Sequence, residues 1–316
     1  MSQDAKELHE TAKAFMRSGD YANASLVLTR ALQQDPTNIE ISKDLALDYY
    51  LQKEYIKALE VIKPVLDKND ADDQAFQIAG NIYKGMNDVK EVEKLYKKAI
   101  KKFPDSGPLY NDYGETLWSQ GDISAIKIWE KGIEKDPEFS GNYYNATRYY
   151  FFSIDKVWSI IYGEIFLNLE TFSPRTAEIK GIMLENYKKL FNNLEVSKPG
   201  HDKNIFEEAY LEDINKQSLL VSSGVTPETL TMIRTRFILD WFAQNTKKLP
   251  FKLFEYHRQL LQEGLFEAYN QWIFGVAQNL TAYQAWTNTH PIEYTEFGRY
   301  QKNKLFKVPA GQYYHK

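Results

Sequence analysis

Residues 12–36 read AKAFMRSGDYANASLVLTRALQQDP. Two small residues, Ala12 and Ala24, flank the turn candidate Gly19-Asp20, and Pro36 closes the stretch. This order predicts a helical hairpin. The alanines sit where two helices cross closely, Gly19 supplies the positive φ that ends the first helix, and Pro36 cannot continue the second. The layout recurs. Pro36, Asp70, Pro104 and Pro137 are spaced 34, 34 and 33 residues apart, and Ala12, Ala46, Gly80 and Gly114 precede them in phase. Three residues after each small residue stands a large one, Phe15, Tyr49, Tyr83 and Leu117, and Thr147 with Tyr150 opens a fifth round. Such a period belongs to stacked helical hairpins, each packing on its neighbours.

The residue set of the first round, together with Ala31-Leu32 and Asp35-Pro36, resembles a tetratricopeptide repeat. Repeat two keeps Ala46, Tyr49, Tyr55 and Ala58 but has Lys53 for the turn glycine and Asp70 for the proline. Repeat three keeps Gly80, Tyr83, Tyr96, Ala99 and Pro104. Repeat four is one residue short between Gly121 and Ala125, and a shorter turn is expected there. In the fifth round Tyr143, Ala146 and Tyr150 carry the first helix, Thr147 replaces the small residue, and no glycine precedes Asp155. The resemblance implies an all-α, right-handed superhelix of about five hairpins over residues 1–172.

Residues 173–316 are expected to form a helical C-terminal domain that caps the last hairpin, without the strict period. Ser173-Pro174 and Thr226-Pro227 read as helix starts, and Glu195–Asn204, with Pro199-Gly200, as a polar loop. Gln262-Glu263-Gly264-Leu265 looks like a diverged repeat turn between two helices, a short helix is expected near Ala282 ending before Pro291, and no strand signal of useful length is present.

The chain of 316 residues has a net charge of -4. Residues 1–172 hold 21 basic against 28 acidic side chains, and residues 173–316 hold 18 against 15. Neither half suits a polyanion, so nucleic acid is not an expected partner. Cysteine is absent, which excludes disulfides, thiolate metal sites and a cysteine nucleophile. The apolar run Trp158–Leu169 is interrupted by Gly163, Glu164 and Asn168, so no transmembrane segment is expected. The polar start lacks an apolar signal core. A soluble chain is expected, cytoplasmic, or periplasmic or secreted if an export signal was removed.

In tetratricopeptide repeats certain positions of each first helix face the concave groove. Carried over to this sequence, they are His9, Lys13 and Met16, then Lys43, Leu47 and Tyr50, then Gln77, Asn81 and Lys84, then Asn111, Glu115 and Trp118, and finally Tyr144, Arg148 and Phe151. Polar groups beside aromatics suit an extended peptide. From these, the expected partner site is Lys13, Lys43, Tyr50, Gln77, Asn81, Asn111, Glu115, Trp118, Tyr144 and Arg148. The carboxylate clamp that some members of the family use on chaperones is not supported, since Leu47 stands for a polar donor and Gln77 with Asn81 for a basic pair.

Arg234 lies among Leu230, Ile233, Phe237, Ile238 and Trp241 on one helical face and requires an acceptor. It reads as a structural bridge or as an anion anchor, and Glu164 poses the same question. His9, His201, His257, His290 and His315 show no metal-ligand spacing, and no catalytic motif stands out, so neither a metal nor a cofactor is expected. The favoured function is a noncatalytic scaffold or adaptor that binds a protein or peptide in the groove. A glycan-binding protein using some of the 46 aromatics is the alternative. An enzyme with a noncontiguous site ranks third.

Overall fold

The computed structural model describes residues 3–192, 203–221, 224–303 and 305–315, and every regular element among them is helical. The chain divides into two compact units, residues 1–128 and 129–316, and the division falls inside a helix. It reflects packing, whereas the expected boundary at 172 reflects repeat phase.

In the first unit the helices are α1 (Gln3–Ser18), α2 (Tyr21–Gln34), α3 (Ile39–Leu51), α4 (Tyr55–Leu66), α5 (Asp73–Gly85), α6 (Val89–Lys102), α7 (Gly107–Ser119) and the first residues of α8 (Ala125–Lys135). Each helix packs on the next from α1 through α7, and the first helices of successive repeats, α3, α5 and α7, lie side by side. Ala12, Ala24, Ala46, Ala58 and Ala99 are fully buried. A Cβ on Gly80 would run into the Tyr96 hydroxyl, so the position requires glycine. The turns repeat as well. Gly19 and Gly121 hold φ of 78° and 76°, and where the sequence lacks glycine Lys53 and Asn87 adopt 61° and 57°.

The shortened fourth repeat is not accommodated by a shorter turn. Five residues separate α7 from α8, and the second helix opens with tight bonds, Ala125 N–H to Asp122 O at 3.2 Å and Lys127 N–H to Ser124 O at 3.0 Å. A three-residue turn uses fewer residues than an α turn, which absorbs the deletion.

The second unit continues from Trp129 in α8 through α9 (Ser140–Phe152), α10 (Lys156–Leu169), α11 (Pro174–Asn192), α12 (Ile205–Asn215), α13 (Pro227–Gln244) and α14 (Lys252–Gln262). Next come α15 (Phe266–Asn270), a π turn (Gln271–Gly275), α16 (Val276–Gln278), α17 (Leu280–Thr289) and α18 (Pro291–Asn303). Helix α10 is buried almost all round, covered by α9 and α11. Its fifth-round hairpin turns without glycine. The Lys156 ammonium bonds the carbonyls of Phe151, at 2.6 Å, and Ser153, so a cation closes the end of α9 where a left-handed residue would otherwise do so. Gly264 adopts φ of 72° between α14 and α15, as a repeat turn would.

Two helices add to the expected set. Helix α12 starts with a capping box formed by Asn204 and Glu207, and α18 starts at Pro291, which therefore ends one helix and begins the next. Of the loop expected at Glu195–Asn204, only Lys203 and Asn204 lie inside the described residues, and His201 lies outside them.

Candidate partner-binding surfaces

The expected groove residues of the first unit are largely engaged with one another. His9 Nε2 lies 2.7 Å from Asp44, and Gln77 donates to Asp112 at 2.9 Å. Both bonds join position five of one repeat to position six of the next, 35 residues on. Repeat three has Ile78 at that sixth position, so Lys43 reaches instead to Asp72 at 2.5 Å, Gln74 at 2.9 Å and Glu40 at 2.8 Å. Burial of Lys43 disfavours its charge, but these carboxylates outweigh it and raise its pKa. Lys43 was expected as a groove donor; it is only 3% exposed and braces two repeats.

The remaining residues of this face differ in what they offer. Lys13 pairs with Glu10 at 3.1 Å, and Asn111 donates to Glu115 at 3.2 Å. Tyr50 is half-buried and tilted against Tyr55, with ring centroids 6.0 Å apart. Trp118 remains 38% exposed. Asn81 is half-buried and its amide makes no hydrogen bond to the described residues.

In the second unit Tyr144 donates to Glu178 at 2.6 Å and Arg148 pairs with the same carboxylate at 3.0 Å. The Arg175 guanidinium lies 4.8 Å from the centre of the Tyr144 ring. The bond joins α9 to α11, with Tyr144 and Glu178 34 residues apart.

Arg234 and Glu164 turn out to answer each other. The guanidinium on α13 bonds the Glu164 carboxylate on α10 and the Asn270 side-chain oxygen, and all three residues are buried. The same carboxylate oxygen receives the Tyr269 hydroxyl at 2.9 Å and lies 2.8 Å from His257 Nε2. Phe266, Tyr269 and Phe274 ring the guanidinium at 5.3–5.6 Å. Burial alone would push the Glu164 carboxyl up; Arg234, His257 and Tyr269 together hold it at about 2. Burial pushes the His257 imidazole down, against the pull of Glu164. The cluster joins four helices inside an apolar core, which is the structural bridge, and the sequence did not show that two isolated charges 70 residues apart were partners. No group of three metal-binding side chains occurs among the described residues, and no helix there is long and apolar enough to cross a membrane.

Residues 15–82 match the family described as Tetratricopeptide repeat, and the described residues form an all-α array of helical hairpins around that match. Among solved structures, a tetratricopeptide repeat protein from Thermus thermophilus is 14% identical, with coverage of 57% of this chain and 99% of its own and a TM-score of 0.46. Another from Parabacteroides merdae is 14% identical, with coverage of 81% and 97% and a TM-score of 0.45. YrrB, described as having an unusual peptide-binding site, is 15% identical, with coverage of 54% and 89% and a TM-score of 0.39. Likeness at this level says nothing of partners. No curated protein matches the chain.

Proposed function

We propose that the chain is a noncatalytic scaffold that binds a protein or peptide segment on the face made by α3, α5 and α7. The observation that carries this reading is Asn81. A half-buried amide with no hydrogen bond to the described residues, on a face where His9, Lys43 and Gln77 bond across repeats, is suited to pair with an incoming peptide backbone. Tyr50 and Trp118, from the neighbouring first helices, supply aromatic area for side chains. The perturbed titratable groups of the second unit are closed in its core, which favours a structural role over acid–base work.

The test is a pull-down to isolate a partner, followed by alanine substitution. Asn81→Ala and Trp118→Ala should each weaken binding about tenfold or more, with helical content unchanged and with Lys57→Ala on α4 as a neutral control. If only substitutions beyond residue 128 weaken binding, the repeat face is not the site.

A further inference from the structure

The second unit already holds an extended peptide, and it is the chain's own. Residues 305–315 follow α18 without helix or strand, reversing once at a turn where Gly311 has φ of 84°. This strap is fixed by side chains at its two ends. At the first end Phe306 and Val308 are buried, with the Phe306 ring edge-on to Tyr256 at 5.4 Å, and Lys307 pairs with Glu138 at 3.1 Å. At the other, Tyr314 stacks on Phe206 at 4.8 Å and 7°, and its hydroxyl donates to the Pro250 carbonyl at 2.6 Å. The His315 ring stands edge-on to Trp158 at 4.8 Å and lies 2.6 Å from the Tyr150 hydroxyl and 2.9 Å from the buried Glu130 carboxylate.

The receiving surface makes bonds that a peptide would use. Asn204 donates its side-chain amide to the Tyr314 backbone carbonyl at 2.7 Å, and the first N–H of α14, on Lys252, donates to the Gln312 side chain at 2.6 Å. Aromatic anchors at both ends with few backbone bonds between them is the pattern of a linear segment held in a groove. The strap also leaves the groove partly open. A cleft of about 630 Å³ lies beside it, bordered by Pro137, Lys252, Glu255, Lys307 and Gln312.

We infer that this groove is a second peptide-binding site, occupied in cis by residues 305–315, and that its partner is an extended peptide of the same chemistry. That chemistry is two apolar side chains one residue apart, then, about five residues later, a Tyr-Tyr-His run. The strap is a competitor. Tethered beside its site, it acts at an effective concentration on the order of millimolar, so a partner must either be abundant or act on a released strap. The inference is independent of the N-terminal face.

The test uses the full chain with a protease site inserted between Asn303 and Leu305, cut after folding, and a fluorescent synthetic peptide of residues 305–315. The cut protein should exchange its strap for the labelled peptide, and the uncut protein should bind it at least 100-fold more weakly. A peptide with alanine for both Tyr314 and His315 should bind at least tenfold more weakly than the natural sequence. Loss of helical content on cutting, no exchange, or equal binding by cut and uncut chains would each overturn the inference, because the strap would then be core or the peptide would bind elsewhere. Concentration-dependent dimerisation of the uncut chain, abolished by Tyr314→Ala, would make a second copy the occupant and overturn the assignment to a foreign peptide.

Discussion

In residues 3–128 a polar side chain of one repeat bonds a partly exposed carboxylate of the next, as His9 does Asp44 and Gln77 does Asp112. In residues 129–315 several buried polar side chains instead converge on one carboxylate, Glu164, inside an aromatic core. The difference follows from geometry. A repeated hairpin offers the same edge to each neighbour, so an equivalent bond can be made every 34 residues or so. An aperiodic core has no such edge, and a charge enclosed there must be met from several helices at once. Removal of one partner should therefore matter far more in the second unit than in the first.

The largest effect is expected for Arg234→Met. It leaves Glu164 buried without its cation, which typically costs about 3–5 kcal/mol. Gln77→Ala opens a half-exposed rung and should cost about 0.5–1.5 kcal/mol. Urea unfolding followed by circular dichroism compares them, and equal shifts of the midpoint would erase the contrast between the units. The carboxylate adds a pH signature. Its folded pKa of about 2 lies below the ordinary 4.5, so its stabilisation is present above about pH 4.5 and is lost as pH falls toward 2. Glu164→Gln should abolish that part of the acid loss.

Close packing sharpens the comparison at two glycines. A Cβ at Gly80 meets the rigid, buried Tyr96 ring, whereas one at Gly163 meets the Met183 sulfur at 2.8 Å. Methionine is flexible and can give way. Gly80→Ala should cost about 1–3 kcal/mol by overpacking, and Gly163→Ala less. The Tyr96 hydroxyl has no hydrogen-bond partner among the described residues, so adding Tyr96→Phe to Gly80→Ala should recover part of the loss, read as a thermal midpoint. No recovery would place the strain in the backbone crossing itself.

The small residues, turns and hairpin phase were legible because they repeat. Ala12, Ala46 and Gly80 announce their crossings by spacing alone, and Lys53 and Asn87 take the left-handed turn that position demands even without glycine. What one sequence could not supply was pairing across space. Arg234 and Glu164 were each legible as costly, yet only the fold brings them together. Lys43 looked like a groove donor because its register position is usually one; the missing acidic residue at position 78 redirects it inward. Helix α12 was signalled by the Asn204–Glu207 spacing and α18 by Pro291, both of which admitted a second reading as loop and stop. The strap carries no periodic signal at all, since an extended segment anchored by side chains has none.

Among the described residues of the first unit Asp48 is a buried carboxylate without a cation. Asp48 on α3 is fully buried, with one oxygen bonded by Gln52 at 2.7 Å and the other without a partner. Burial raises its pKa to about 6, and the Gln52 bond offsets only part of that. A folded pKa above the unfolded value means stability that is complete below about pH 3.8 and is lost as pH rises through 6. Asp48→Asn should therefore stabilise the protein at pH 7 by about 1–2 kcal/mol and change little at pH 4. A gain that persists undiminished at low pH would mean that the carboxylate is not the cause.

The smallest effect concerns the turns, where the two units use the same geometry with different residues. Lys53, with an exposed side chain, holds φ of 61°, Asn87 holds 57°, and Gly264 in the second unit holds 72° in open space. The left-handed region costs an ordinary L residue about 1–2 kcal/mol, and asparagine less because its short side chain bonds locally. Glycine removes that strain but gives back about 0.5–1 kcal/mol through the freedom of the unfolded chain. Lys53→Gly should therefore raise stability by about 0.5 kcal/mol, Asn87→Gly should be near neutral, and Gly264→Ala should cost about 1 kcal/mol. Differential scanning calorimetry on the three variants orders them. If Lys53→Gly destabilises, the lysine stem contributes packing to the turn, and the equivalence of the turns in the two units fails at that position.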